Sequence, residues 1–268
     1  MKRKEFLRRV TVGGFLIING QLFRGSFNPY DNKVDFRFTV ASDGHYGQSG
    51  TSYQNYYSTI VSKVNRYHKM FPSEFVIYNG DIIHDDPQYL KPAYKALSKS
   101  DLSFYVTKGN HDMVTPERWE EIWGYPQNHA VEFGKRVILL GTTSNIKGDY
   151  LCPDKEWFER QLDHYKTASE IYLFLHITPN NWTDHGIECP DFHKLLARYE
   201  NVTAVFNGHD HQEDGIKIEG EIPFMFDGHF GGSWGTEYRG FRVVEKLKDG
   251  TLRTYLMDPD EKIKEVEL

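Results

Sequence analysis

From Val34 to Ala41 apolar and polar residues alternate, with Val34, Phe36, Phe38 and Val40 set against Asp35, Arg37 and Thr39. That period of two predicts a half-buried strand. Short apolar runs at residues 75–78, 104–106, 136–141, 171–175 and 202–206 predict further strands. Between them the period lengthens to that of a helix. Residues 52–70 put Tyr53, Tyr57, Ile60, Val61, Val64 and Tyr67 on one stripe. Residues 154–165 do the same with Trp157, Phe158, Gln161, Leu162 and Tyr165, behind a Pro153-Asp154 start. Residues 88–98, 116–123 and 191–199 read as shorter helices. Strands alternating with helices predict an α/β fold. After residue 206 the pattern changes. Residues 216–219, 222–226, 240–246 and 252–256 read as antiparallel strands, with Asp249-Gly250 as a hairpin signal between the last two. This tail is expected to complete a second sheet.

The N-terminus breaks from these patterns. Lys2, Arg3, Lys4, Arg8 and Arg9 surround Phe6-Leu7, and a mostly apolar stretch from Val10 to Phe23 follows, interrupted by Asn19 and Gln21. It is too short for a comfortable membrane span and fits the apolar region of an export signal. Arg3-Lys4-Glu5-Phe6-Leu7-Arg8 resembles a twin-arginine signal with Lys in place of the second Arg. The expectation is an export signal and linker over residues 1–30, one domain over 31–268, and a periplasmic protein. The alternative is an N-terminal helix or strand of a cytoplasmic protein.

The strand ends carry the chemistry. Asp43-Gly44-His45, Gly80-Asp81, Gly109-Asn110-His111-Asp112, His176 and Gly208-His209-Asp210-His211 each follow a predicted strand. In an open α/β sheet the carboxyl ends of neighbouring strands converge on one crevice. Asp43, His45, Asp81, Asn110, His176, His209 and His211 are seven side chains suited to divalent Mn, Fe or Zn. One tetrahedral ion needs only four ligands. Seven, with one carboxylate shared, suit two ions. Such a pair serves in-line displacement at phosphorus, with a bridging hydroxide as attacking group.

In this order the segments resemble the calcineurin-like metallophosphoesterases, from about Asp35 to His211. The resemblance implies a four-layer αββα sandwich with two mixed central sheets and a dinuclear metal site at the strand C-terminal ends. It implies a first ion on Asp43, His45, Asp81 and His211, and a second on Asp81, Asn110, His176 and His209. His111 would be the histidine that faces the scissile phosphate. Many members carry an Asp three residues after the bridging Asp, where it orients that histidine; here His84 stands there, followed by Asp85 and Asp86. Either Asp85 or Asp112 takes the orienting role, or His111 has no carboxylate partner. The function implied is metal-dependent phosphoester hydrolysis, as a phosphodiesterase or phosphomonoesterase on small phosphorylated molecules. A non-catalytic metal- or partner-binding protein on the same fold, or a nuclease, are the alternatives.

Composition narrows this reading. The chain has 268 residues with 39% hydrophobic, 26% charged and 15% aromatic content, and a formal net charge of −6. No general basic field is offered to a nucleic-acid backbone, and no nucleic-acid partner is expected. Cys152 and Cys189 are too few for a disulfide framework and match no zinc signature. They read as unpaired thiols, with a single bridge as the alternative in an oxidising compartment. The glycine- and aromatic-rich segment 227–239 is expected to lie over the site, with Phe230, Trp234, Tyr238 and Arg239 meeting substrate, or else to be a structural loop packing its own aromatics.

Overall fold

The computed structural model describes the backbone of Phe15–Ile18 and Gln21–Arg24, then residues 32–258 and 260–268. Most of the segment read as an export signal therefore lies outside the described residues. Its two short strands, β1 (Phe15–Ile18) and β2 (Gln21–Arg24), pair antiparallel, and Arg24 bridges to Glu261.

Two mixed sheets form the centre. The first contains β3 (Val34–Ala41), β4 (Phe75–Asn79) and β5 (Ser103–Thr107) in parallel. It continues antiparallel through β12 (Phe241–Leu247), β13 (Leu252–Asp258) and β14 (Glu261–Glu267). The second is built on parallel β7 (Arg136–Gly141), β8 (Glu170–Leu175) and β9 (Val202–Asn207). β6 (His129–Phe133) closes one edge, and β11 (Ile222–Phe226) with β10 (Ile216–Glu219) the other.

The parity of each strand decides its layer. Phe36, Phe38, Phe75 and Ile77 point between the sheets, where they meet Tyr172, Phe174 and Phe206. Phe38 stacks on Phe75 at 5.0 Å, and Phe174 on Phe206 at 4.8 Å. The alternate residues Val76 and Tyr78 face α1 (Tyr53–Met70), α2 (Leu90–Leu97) and α3 (Pro116–Trp123). Leu173 and Leu175 face α4 (Lys155–His164) and α5 (Pro190–Leu196). Strands buried on both faces with helices outside give the αββα sandwich. The helix starts obey local chemistry. Thr115 accepts from Arg118 N ahead of α3, and Asp154 accepts from Trp157 N ahead of α4.

The cysteines differ from the sequence expectation: Cys152 and Cys189 are disulfide-bonded, 37 positions apart. α4 and α5 lie side by side, with Phe158 and Phe192 at 5.1 Å, and so bring together the residues that precede them. Spacing along the chain carries no trace of that contact.

Arg242 on β12 is 1% exposed. It donates to Asp227 Oδ1 (3.2 Å), Thr254 Oγ1 (3.1 Å) and the carbonyls of Asp214 (2.8 Å) and Phe226 (2.5 Å). Asp227 in turn accepts from Asn79 Nδ2 (3.1 Å). Arg242→Met should lower stability by about 3–5 kcal/mol, because it leaves Asp227 buried without its cation. Denaturant unfolding measures this, and a loss below about 1 kcal/mol would show that the ion pair is dispensable.

Candidate metal centre

The parallel strands of both sheets end at one side of the sandwich, and the loops that follow are bent sharply. Asp43, His45, Asp81 and His209 have φ of 60°, 47°, 49° and 68°. Such left-handed backbone is uncommon for residues with a Cβ and concentrates at functional sites. The loops after β3 and β4 hold each other through Asp43 N to Gly80 O (3.1 Å) and His45 N to Asp81 O (2.9 Å). Gly109 is required for closeness: a Cβ there would collide with the carboxylate and backbone nitrogen of Asp81.

Both buried carboxylates divide their oxygens. Asp43 Oδ2 accepts from His209 N (2.9 Å) and Ser42 Oγ (2.5 Å), which ties down the His209 loop. Its Oδ1 turns to His211 Nε2 at 3.1 Å. Asp81 Oδ1 accepts from His111 N (2.8 Å), fixing the Asn110-His111 turn. Its Oδ2 lies 3.2 Å from His176 Nε2 and 3.7 Å from His45 Nε2. Among the described residues three groups of potential ligand atoms form: Asp43–His45–His211 and Asp81–His176–His209, with His45–His84–His111 beside them.

The imidazoles are aimed by backbone carbonyls. Asn79 O accepts from His176 Nδ1 (2.7 Å) and Trp234 O from His211 Nδ1 (3.0 Å), so each presents Nε2 inward. Asn110 Oδ1, His176 Nε2 and His209 Nε2 are buried without a well-aligned hydrogen-bond partner. Buried polar atoms are ordinarily satisfied. Three orphans from three loops, all belonging to one of the two expected ligand sets, fit a divalent cation. Of the seven expected ligands, the structure groups Asp43, His45 and His211 together and Asp81, His176 and His209 together.

His111 takes its orienting carboxylate from Asp85: Nδ1 donates to Asp85 Oδ1 at 2.7 Å. Asp85 reaches it from a left-handed backbone, φ 64°. Asp112, the other candidate, is a correction. Its oxygens accept from Ile83 N and Gly109 N, both at 2.8 Å, so it organises two loops and does not orient His111. His84 stacks on His111 at 4.6 Å, and its Nδ1 lies 3.0 Å from His45 Nδ1.

The segment 227–239 also differs in detail from expectation. Phe230 is core, packed against Tyr57 and Tyr78. Tyr238 donates its hydroxyl to Asp214 (2.5 Å). Arg239 lies over the Tyr56 ring and donates to Gly232 O (3.0 Å). These three hold the loop's own shape. Trp234 is the one that reaches the centre, stacked on His211 at 4.4 Å and 4°, and still 42% exposed.

Among the described residues, sequence reasoning gave no role to His229, whose ring stacks on His211 at 4.9 Å, nor to Lys108 and Tyr150. Lys108, 1% exposed, donates to Ser144 Oγ (2.9 Å) and Asn145 O (3.0 Å). Tyr150 meets His209 edge-to-face at 4.9 Å. Neither lies in a motif, and only the fold brings loop 142–154 to the ligands.

The sequence pattern of the family described as calcineurin-like phosphoesterase matches residues 36–213. The chain belongs to this family. Its family is one of metal-dependent phosphoester hydrolases. The chain is similar to the 3′,5′-cyclic adenosine monophosphate phosphodiesterase CpdA of Haemophilus influenzae, 25% identical over 230 residues, 76% of this chain and 81% of that one. It also matches a protein of Psychrobacter arcticus named "Probable cyclic nucleotide phosphodiesterase", at 24% over 161 residues. That match spans 52% of this chain and 57% of the relative, little more than half its length. Among solved structures, a dimetal phosphatase from Danio rerio shares the fold at TM-score 0.67 and 12% identity, over 87% of this chain and 98% of that one.

The protein's own charges balance the centre when no cation does. Burial disfavours charge on His176, but Asp81 and Asp43 outweigh it and pull its pKa up to about 10. His211 is raised in the same way, against burial, by Asp43. Burial pushes His45 down to about 3, and burial with His176 pushes His209 down to about 4. Ligation needs neutral imidazole, so a metal must displace the protons on His176 and His211. Below about pH 10 metal uptake should release protons, and apparent affinity should climb with pH. Calorimetric titration with Mn in buffers of different ionisation enthalpy reads this directly. Affinity independent of pH between pH 6 and pH 8, with no buffer dependence, would contradict it.

Proposed function

We propose that the protein is a dinuclear phosphodiesterase acting on a small nucleoside phosphoester, with a 3′,5′-cyclic nucleotide as the representative substrate. The observation that carries the chemistry is the grouping of His176 and His209 with Asp81, with His176 Nε2, His209 Nε2 and the nearby Asn110 Oδ1 buried without a well-aligned hydrogen bond, beside a histidine backed by its own carboxylate. The diester reading rests on the kinship to two phosphodiesterases and on the open indole face of Trp234.

These residues would hold divalent ions, with Mn, Fe or Zn as the candidates, whose chemistry there would be to neutralise phosphoryl oxygens and acidify water. The chain's own groups do the rest. Asp43 and Asp81 fix the ligand loops with one oxygen each. Asp85 accepts from His111 Nδ1 and so fixes the ring; as an imidazolium the ring keeps that Nδ1 proton and gives the one on Nε2 to the departing oxygen. Trp234 offers a flat face beside His211 for a ring. We also read the protein as exported; the Cys152–Cys189 bridge supports an oxidising compartment, alongside the basic and apolar N-terminus.

A panel of cyclic nucleotides, linear diesters and matching monoesters, run with Mn, Fe and Zn, tests the assignment. A cyclic diester should be turned over faster than its monoester product. Metal uptake without turnover of any ester would favour the non-catalytic reading. His111→Ala should retain its metal and lose roughly 10²–10⁴-fold in rate, most for poor leaving groups. Asp85→Asn should lose less. Loss of metal in His111→Ala would make that residue a ligand instead.

A further inference from the structure

Loop 142–154 is built as a rigid wall beside the second ligand cluster. Leu151 N bonds Thr143 O (2.8 Å) and Asn145 N bonds Asp149 O (3.1 Å), while Asn145 Oδ1 accepts from the backbone of both Lys147 (2.8 Å) and Asp149 (3.1 Å). The buried Lys108 ammonium pins its start, and the bridge from Cys152 to Cys189 pins its end. Gly148 sits so close to Asn110 that a Cβ there would press on the Asn110 carbonyl oxygen at 2.9 Å. On this wall Tyr150 stands at 88° to His209, yet remains 38% exposed.

Tyr57, Tyr67 and Tyr78 bury their rings in the core, at 0% exposure. Tyr150 instead holds an aromatic surface open next to one ligand cluster, and Trp234 does so next to the other, since His209 and His211 belong to different clusters. Aromatic rings bind flat groups through their faces and edges at little entropic loss when they are held rigid beforehand. Both walls are held: Tyr150 by its braced loop, Trp234 by its stack on His211.

We propose that Tyr150 is a substrate-binding residue which, with Trp234 on the far side of the centre, selects phosphoesters that carry a planar ring. The inference rests on the function proposed above and adds its specificity. It does not depend on the ester being cyclic.

The test is the ratio of kcat/KM for adenosine 3′,5′-cyclic phosphate to that for the same cyclic ribose phosphate with hydrogen in place of the base. Tyr150→Ala should cut this ratio roughly tenfold, within the range of one lost stacking contact, chiefly through KM. Tyr150→Phe should restore it. Tyr150→Ala with Trp234→Ala should cut it further. A ratio unchanged in Tyr150→Ala, with both substrates losing equally or metal content falling, would overturn the proposal and make Tyr150 a support for His209. Wild type that hydrolyses neither cyclic ester would refute the cyclic-nucleotide function alone. The clamp is then judged on phenyl and glyceryl phosphoesters by the same ratio, where the same drop sustains it and an unchanged ratio ends it.

Discussion

Asp43 and Asp81 are carboxylates with 0% and 1% exposure, on neighbouring loops whose backbones are both left-handed. A bare buried charge is expensive, and each left-handed residue adds about 1–3 kcal/mol. Both pKa values are nevertheless held well below the carboxylate range: burial pushes them up, and His211 and His176 outweigh it. The arrangement therefore requires positive charge at the centre at all times, from imidazolium protons or from metal. Everything else at the site follows from satisfying these two groups. Each spends one oxygen on the backbone of a partner loop and turns the other toward a histidine.

The fold supplies the support. Because β3, β4, β5, β8 and β9 all end on one side, loops from two sheets meet there. Behind them a buried chain runs from Arg242 to Asp227 to Asn79, whose carbonyl aims His176. The antiparallel tail of the first sheet thus positions His176, which follows a strand of the second. Its loop brings Trp234 to His211, where the Trp234 backbone carbonyl orients the imidazole.

How much of this was legible follows from what each feature depends on. β3 was readable from its alternation, β4, β5, β8 and β9 from their short apolar runs, and α1 and α4 because their stripes are long. β14 was not, since its alternation is of Lys and Glu with only Ile263 and Val266 between them. The ligands were readable because each sits a fixed few residues past a strand. Asp85 and Asp112 could not be separated, because both lie within reach of the site and only the loop turns decide which oxygen meets His111. The disulfide, Lys108 and Tyr150 were invisible for a different reason: they matter only through contacts made across the fold. Tyr238 and Arg239 were over-read on composition, and their hydroxyl and guanidinium are spent on the loop itself.

The central claim is a pair of cations sharing Asp81. Crystals grown with Mn and measured at its absorption edge test it most directly. The account predicts two anomalous peaks roughly 3.5–4 Å apart on either side of the Asp81 carboxylate. One should be ringed by Asp43, His45 and His211, the other by Asn110, His176 and His209. A single peak, or a peak held by His84 and His111 instead, would contradict it.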